Sequence, residues 1–405
     1  MKSFDFKKTM STMARERLEV SAIGSMIKLV IEHGAISFTA GEPSADLLPA
    51  DLLAEAFEGV FDDAAQLGYY RSDLGHVEFR DWIVEWMRRD GLIPGWVKTE
   101  NIMMTCGSQE GISLAGEALI DPGCYVLVES PTYMETLLTF RKQGAVCLGV
   151  PIDEDGIDIG ALEDILRMKK IRFLYSIPNF QNPSGNTATL ERRKEVLALL
   201  QKYDVPLLED DPYHYLSYDS ATPASYICLA GDDARVVYLG SFSKIVAPGV
   251  RCGWMVVPDS LIAEITSLRV NSCLGLPTMV QQGMLNLLTR LDLESYIGRL
   301  CSAYAGRRDA LLSALDAHLS GEGLVHNRPL GGFFIWGRLE GIKDMSDFSR
   351  YAVVNEKIGV IPGSVFFVPG AEDPSSVRFS FAKVDKAKAE EGSARLARAI
   401  KSYRS

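Results

Sequence analysis

Two hydroxyls and a lysine close an apolar run in Leu239-Gly240-Ser241-Phe242-Ser243-Lys244, and an arginine follows seven positions later in Pro248-Gly249-Val250-Arg251. A lysine nucleophile needs a neutral amine, whereas a phosphate anchor needs hydroxyl donors and a fixed guanidinium fork. This segment carries both sets. A lysine after a strand, taken alone, reads as a solvated surface charge, so the weight falls on what accompanies it. Upstream, the run Val205 to Glu209 leads into Asp210-Asp211-Pro212-Tyr213, and before it stand Asn179-Phe180-Gln181-Asn182-Pro183-Ser184-Gly185. A pyridine nitrogen stays protonated beside a carboxylate, and a phenolate oxygen calls for neutral donors such as an amide and a tyrosine hydroxyl. Asp210, Asn182 and Tyr213 are residues of those types.

Each of these has a plainer reading in isolation. Tyr133 and Tyr213 are the kind of aromatic that fills a core, and Gly107 suits an ordinary strand-to-helix turn. The acidic run Glu209-Asp210-Asp211 with His214 has metal-ligand composition, but acidic turns after strands are usually solvated and no second ligand cluster accompanies it. No metal is expected. Asn182-Pro183 is a candidate cis peptide whose isomer the sequence does not disclose.

The elements that must position these residues are legible as a pattern. Short apolar runs at Asn101 to Thr105, Tyr125 to Glu129, Ala145 to Val150, Ile171 to Ile177, Val205 to Glu209, Val236 to Gly240 and Cys252 to Val257 alternate with segments of helical periodicity. Continuous apolar runs joined through helices indicate strands buried on both faces, hence a mainly parallel sheet in an α/β fold. After Pro258 the chain turns helical. A helix from about Leu293 to His318 leads to a smaller α+β unit with strands at Gly332 to Trp336, Gly359 to Ile361 and Val377 to Phe381, closed by a helix through Ala387 to Tyr403. A helix at Ile23 to Glu32 is expected to pack on that unit. The resulting division is an N-terminal segment over 1–45, a large domain over 46–292 and a small domain over 293–405.

With 405 residues and 47% hydrophobic content the chain can bury a large core, and its net charge of −11 offers no broad basic surface to nucleic acid. The seven cysteines stand singly, which reads as reduced, mostly buried thiols of a cytoplasmic protein. Residues Met1 to Arg17 lack the apolar core of a signal peptide, and no run approaches a membrane span. Secretion, membrane insertion and nucleic-acid binding are all disfavoured.

In order along the chain stand Ala40-Gly41-Glu42-Pro43, Gly68-Tyr69-Tyr70 with Gly75, Gly107-Ser108-Gln109, Pro131-Thr132-Tyr133, Asn182-Pro183-Ser184-Gly185, Asp210-Asp211-Pro212-Tyr213, Ser241-Phe242-Ser243-Lys244, Pro248-Gly249-Val250-Arg251, Gly331-Gly332-Phe333 and Arg378. Over nearly its whole length the chain resembles the fold type I pyridoxal-phosphate enzymes of the class I/II aminotransferase family, and most of all the aminoadipate, kynurenine and aromatic aminotransferase branch. The resemblance implies a large domain with a seven-stranded, mainly parallel sheet. It implies pyridoxal 5'-phosphate carried as a Schiff base on Lys244, with Asp210 at the ring nitrogen, Asn182 and Tyr213 at the phenolic oxygen and Tyr133 stacked on the ring. The phosphate would lie at the helix start after Gly107, held by Ser108, Gln109, Ser241, Ser243 and Arg251, with Tyr70 arriving from the second subunit of a homodimer. Arg378 would take the substrate carboxylate, assisted by Asn182 and the Gly41 backbone.

That set implies an aminotransferase passing the amino group of an L-amino acid to 2-oxoglutarate or pyruvate in ping-pong fashion. Relatives with a dicarboxylic preference typically carry an arginine where Gly24 stands here, so this chain departs from them. Arg71 reads first as a solvent-facing loop cation; the alternative is that it meets an acidic substrate side chain across the dimer. A β-lyase acting on a cysteine-like substrate is the nearest rival, because the same framework stabilises any such carbanion. A non-catalytic sensor, as in certain bacterial transcription regulators, is more remote: the first helix begins by about residue 20, which leaves no space for their DNA-binding domain.

Overall fold

The apolar runs become strands because each is too short for a helix of useful length and is bounded by turns or capped helices. The computed structural model describes residues 4–62 and 73–404. In chain order its strands are Ile36–Ser37 (β1), Ile102–Thr105 (β2), Tyr125–Ser130 (β3), Val146–Asp153 (β4), Gly156–Ile157 (β5), Ile171–Ser176 (β6), Leu207–Asp210 (β7), Val236–Ser241 (β8), Gly253–Val256 (β9), Leu324–His326 (β10), Phe334–Leu339 (β11), Ile358–Gly359 (β12), Ile361–Pro362 (β13) and Ser376–Ser380 (β14).

The large sheet has the order β2-β9-β8-β7-β6-β3-β4-β5. Strands β8, β7, β6, β3 and β4 are mutually parallel, while β9 runs antiparallel to both β2 and β8. All seven apolar runs of the sequence lie in this sheet. The eighth strand, β5, is a two-residue return paired to β4, too short to register as a run. Every residue of β2, β7, β8 and β9 is buried, as expected for strands covered by helices on both faces. The helices begin where short polar side chains take up free amides: Asp158, Thr189 and Asp292 accept hydrogen bonds from the backbone of Ala161, Arg192 and Ser295.

Beyond the long helix Leu293–Leu319, strands β10, β11, β14 and β13 form a second, antiparallel sheet packed with the helix Lys386–Arg404. The N-terminal helix Ala22–Glu32 is followed by β1, which pairs in parallel with β12, and its Met26 and Val30 pack with Val353, Ile361 and Phe366. The cysteines differ from expectation. Cys252 alone is buried, five are partly exposed and Cys273 is exposed, because most of them fall on helix flanks and sheet margins rather than in strand centres.

The residue order reverses around β3, with β4 on one side and β6 to β8 on the other, and open α/β sheets bind ligands at the carboxyl ends of strands beside such a reversal. The turn after β8 is fixed from behind by aromatic packing: Phe242 stacks on Phe79 at 5.7 Å and on Trp86 at 5.8 Å, and Trp254 closes to 4.9 Å from Phe242. Gly240 is required there, since a Cβ at that position would stand 2.2 Å from the Trp254 ring. Gly240→Ala should therefore destabilise the protein by about 1–3 kcal/mol through overpacking. The check is the urea midpoint at constant slope; an unchanged midpoint would mean that Trp254 can move aside.

Candidate active site

At the end of β7 the chain buries a carboxylate. Asp210 is 2% exposed; its Oδ2 accepts a hydrogen bond from the Tyr175 hydroxyl at 2.7 Å, while Oδ1 is buried with no partner among the described residues. Burial pushes its pKa up to about 7, with Tyr175 opposing the shift, Asp211 adding to it, and Ser108 and Lys244 opposing it. The neighbouring acids are not solvated, contrary to the sequence expectation. Glu209 accepts the amides of Tyr226 and Ile227, and Asp211 accepts from Asn179 at 2.8 Å and pairs with His214 at 3.0 Å. Backbone and side-chain donors satisfy these two, whereas Asp210 keeps one oxygen open.

From the turn after β8, Lys244 Nζ reaches the Gly41 carbonyl at 2.8 Å and lies 5.8 Å from the centre of the Tyr213 ring. Burial lowers its pKa to about 8, with Glu42 and Asp210 opposing that fall and Arg378 and Arg251 reinforcing it. The neutral amine that a nucleophile requires is thereby far more available near neutral pH than in a free lysine.

The helix Ser108–Leu119 starts at Gly107, whose φ of 76° places it in the left-handed region. A Cβ there would come within 2.7 Å of Arg251 Nη2, and that guanidinium is held by the Cys106 carbonyl at 2.8 Å. Glycine thus lets an arginine lie across the open end of a helix whose first amides have no intrahelical partner. Ser241 and Ser243 stand beside it, with Ser241 Oγ accepting the Ser243 amide at 3.1 Å.

Arg378, in the middle of β14, is 2% exposed. Its Nη1 donates to Asn182 Oδ1 and its Nη2 to the Thr39 carbonyl, both at 2.8 Å, and the guanidinium lies 4.2 Å from the Phe334 ring centre. Among the described residues no carboxylate pairs with it. Burial lowers its pKa to about 10. Because Asn182 offers its oxygen to Arg378, its Nδ2 group is the donor left for a ligand.

Of the residues given a site role in the sequence, all but Gly107, Tyr70 and the candidate Arg71 line one cavity of about 390 Å³. Gly107 forms the helix start behind Ser108; Tyr70, with Gly68, Tyr69 and Arg71, lies outside the described residues. Sequence reasoning missed a buried layer beneath the site. Glu129, pushed up to about 7 by burial, accepts from Ser176, from Gln181 at 3.0 Å and from the Ile177 amide. Gln181 also donates to the Pro131 carbonyl and accepts the Ser184 amide, which fixes the loop carrying Asn182. The Asn182–Pro183 bond is cis, and so is Ser130–Pro131. The cavity wall further includes Ser21, Ile23, Gly24 and Ile27 at the first helix, and Glu135; no spacing of polar residues marks Glu135.

The aminotransferase class I and II family model matches residues 34–396. The chain belongs to the class I and II aminotransferases. This aminotransferase is 32% identical to the 2-aminoadipate transaminase of Thermus thermophilus over 95% of both chains, and 33% identical to aromatic-amino-acid aminotransferase 1 of Thermococcus litoralis over 98% of this chain and 95% of that one. The α-aminoadipate aminotransferase of Thermus thermophilus, solved with N-(5'-phosphopyridoxyl)-L-leucine, superposes with a TM-score of 0.89 at 31% identity, covering 98% of this chain and 99% of that chain. A kynurenine aminotransferase of Pyrococcus horikoshii, solved with pyridoxamine phosphate, kynurenine and product, gives 0.92 at 31% identity over 98% of each. The fold is that of the fold type I pyridoxal-phosphate aminotransferases, and the cofactor is pyridoxal phosphate. The donor set in the cavity fits it. An orphaned, buried Asp210 oxygen calls for a cationic N–H, the lysine amine is poised to react with an aldehyde, and the helix start with Arg251 suits a phosphate.

Asp210 makes a pH signature. Its carboxyl gives up a proton near pH 4 in the unfolded chain and near pH 7 in the fold. Between those values the folded state holds the extra proton, so stability falls as pH rises. Cofactor-free wild-type protein should lose stability relative to cofactor-free Asp210→Asn from about pH 4 to about pH 7. Urea midpoints for the pair across that range provide the measurement, and parallel curves would contradict it.

Proposed function

We propose that this aminotransferase moves the amino group of an L-amino acid to 2-oxoglutarate or pyruvate in two half-reactions, releasing the first 2-oxo acid before the second binds. The observation that carries the reading is the junction of three groups in one cavity: the amine of Lys244, the open oxygen of Asp210 and the carboxylate-free guanidinium of Arg378.

Bound pyridoxal phosphate supplies an aldehyde that condenses with amines and a pyridinium ring that accepts the electron pair left when the α-proton departs. Arg378, aided by Asn182 and the Gly41 backbone, binds the substrate's α-carboxylate and so fixes which bond at Cα stands ready to break. Lys244, freed as a neutral amine, takes the α-proton and returns it on the other side of the transfer. Asp210, ionised once a cationic ring nitrogen faces it, keeps that nitrogen protonated. Asn182 and Tyr213 would donate to the ring oxygen, Tyr133 would cover the ring face, and Ser108, Gln109, Ser241, Ser243 and Arg251 would hold the phosphate at the Gly107 turn. Across both half-reactions one amino acid and one oxo acid exchange amino and oxo groups, with no net oxidation.

We assign the working form as a homodimer in the cytoplasm. Exposed apolar side chains in the leading segment support the dimer: Phe4, Phe6 and Val20 are 68%, 74% and 86% exposed. The unpaired cysteines support a reducing compartment. Among the described residues no helix is long and apolar enough to cross a membrane.

The test is the visible spectrum of the loaded enzyme with oxo acids assayed in parallel. A single amino acid should discharge the long-wavelength band and yield one oxo acid, and 2-oxoglutarate or pyruvate should restore the band. Pyruvate and ammonia formed without an acceptor would instead identify a lyase. Lys244→Ala should lower turnover by about 10²–10⁴-fold. Arg378→Lys, which loses the planar fork, should weaken kcat/KM for the amino acid by roughly tenfold or more. Kinetics with Arg378→Lys indistinguishable from wild type would remove that residue from the substrate site.

A further inference from the structure

Three cations and three carboxylates line the cavity: Lys244, Arg251, Arg378, Glu42, Glu135 and Asp210. The assignments above give Lys244, Arg251 and Asp210 to the cofactor and Arg378 to the α-carboxylate. Glu42 pairs with Lys383 at 2.5 Å. Glu135 remains, and among the described residues it has no cationic partner.

Glu135 is fixed rather than adrift. It sits in the first turn of the helix Met134–Gln143, and its Oε1 accepts the Ser21 hydroxyl at 2.6 Å. Ser21 in turn caps the helix Ala22–Glu32 by accepting the Gly24 amide at 3.0 Å. Its own helix start and the Ser21 cap of the neighbouring helix therefore hold the carboxylate at the cavity wall. The wall beside it is apolar and open: Ile23 and Ile27 line the cavity, and Gly24 contributes no side chain. Among the described lining residues no cation is left to receive an acidic side chain.

We propose that Glu135 reads the far end of the substrate side chain, so that the preferred donor is a straight-chain amino acid tipped by a cation, its methylenes lying along Ile23 and Ile27. This rests on the transamination reading above. A carboxylate tip would meet Glu135 with like charge and is disfavoured; an apolar tip gains the stem contacts alone.

Norleucine, ornithine and 2-aminoadipate share the same trimethylene stem and differ at the tip, which makes them the probes for the loaded enzyme. Wild type should prefer ornithine to 2-aminoadipate in kcat/KM by on the order of tenfold or more. Glu135→Gln, which can still accept from Ser21, should reduce that ratio by roughly the same factor, and Glu135→Lys should reverse it. The α-methyl derivatives of ornithine and 2-aminoadipate lack the α-proton, so their dissociation constants report the same selectivity without turnover. Bound cofactor, checked by absorbance, shows that each variant is folded. A wild-type preference for 2-aminoadipate, or ratios in Glu135→Gln equal to wild type in both assays, would overturn the inference. Should no amino acid be converted while the α-methyl pairs still discriminate through Glu135, the transamination reading falls and the side-chain assignment stands.

Discussion

A carboxylate held out of water with one oxygen unanswered is the constraint around which this molecule is arranged. Asp210 terminates a fully buried strand, and nothing in the described chain brings a cation into contact with its open oxygen. Such a group is unfavourable by itself and is pushed toward its neutral form by burial, a shift that a cationic ligand would oppose. The same holds in mirror image for Lys244 and Arg378, two cations whose burial depresses their pKa. The fold thus holds three groups in environments that each of them would avoid, and a ligand bearing a cationic nitrogen, an aldehyde and a carboxylate partner relieves all three. Stability given up at the site is recovered in the aromatic cluster behind Phe242 and in the layered strand core.

Much of this was legible in the residues because it is local. The apolar runs that became the seven longer strands of the large sheet are continuous, since strands buried on both faces need no alternation. Lys244, Asp210, Asn182 and Tyr213 could be singled out together because their types match the needs of one cofactor, whereas Arg378 stood out only through the family resemblance. What escaped notice depends on contacts between distant segments. Tyr175 reads as one more strand aromatic until its hydroxyl is found on Asp210, 35 residues away. Glu129 and Gln181 are 52 apart and meet only because β3 and β6 are neighbours. The acidic run 209–211 looked like a solvated turn, yet its partners are amides of the 226–227 helix start and the Asn179 side chain. Glu135 was invisible for the opposite reason: at the start of a helix an acid is so ordinary that no pattern marks the one that faces a cavity.

The division of labour between the two sheets follows from where these groups lie. The carboxyl ends of β7 and β8 present Asp210 and, one turn on, Lys244, whereas Arg378 belongs to the smaller antiparallel sheet. Under the proposed roles the substrate's reacting carbon would lie between a group fixed to one sheet and a group fixed to the other, and its orientation would depend on how the two sheets are joined.

That joint includes a short piece of backbone. The carbonyls of Thr39, Ala40 and Gly41 are taken in succession by Arg378, Ser380 and Lys244, and the Ser380 amide adds a bond to Phe38. Three consecutive peptide units therefore act as a yoke across the cavity, with the Arg378 guanidinium harnessed at one end and the Lys244 amine at the other. Both cations of the cavity thus share one short stretch of main chain as their anchor, so that a change in the 39–41 backbone displaces the two together.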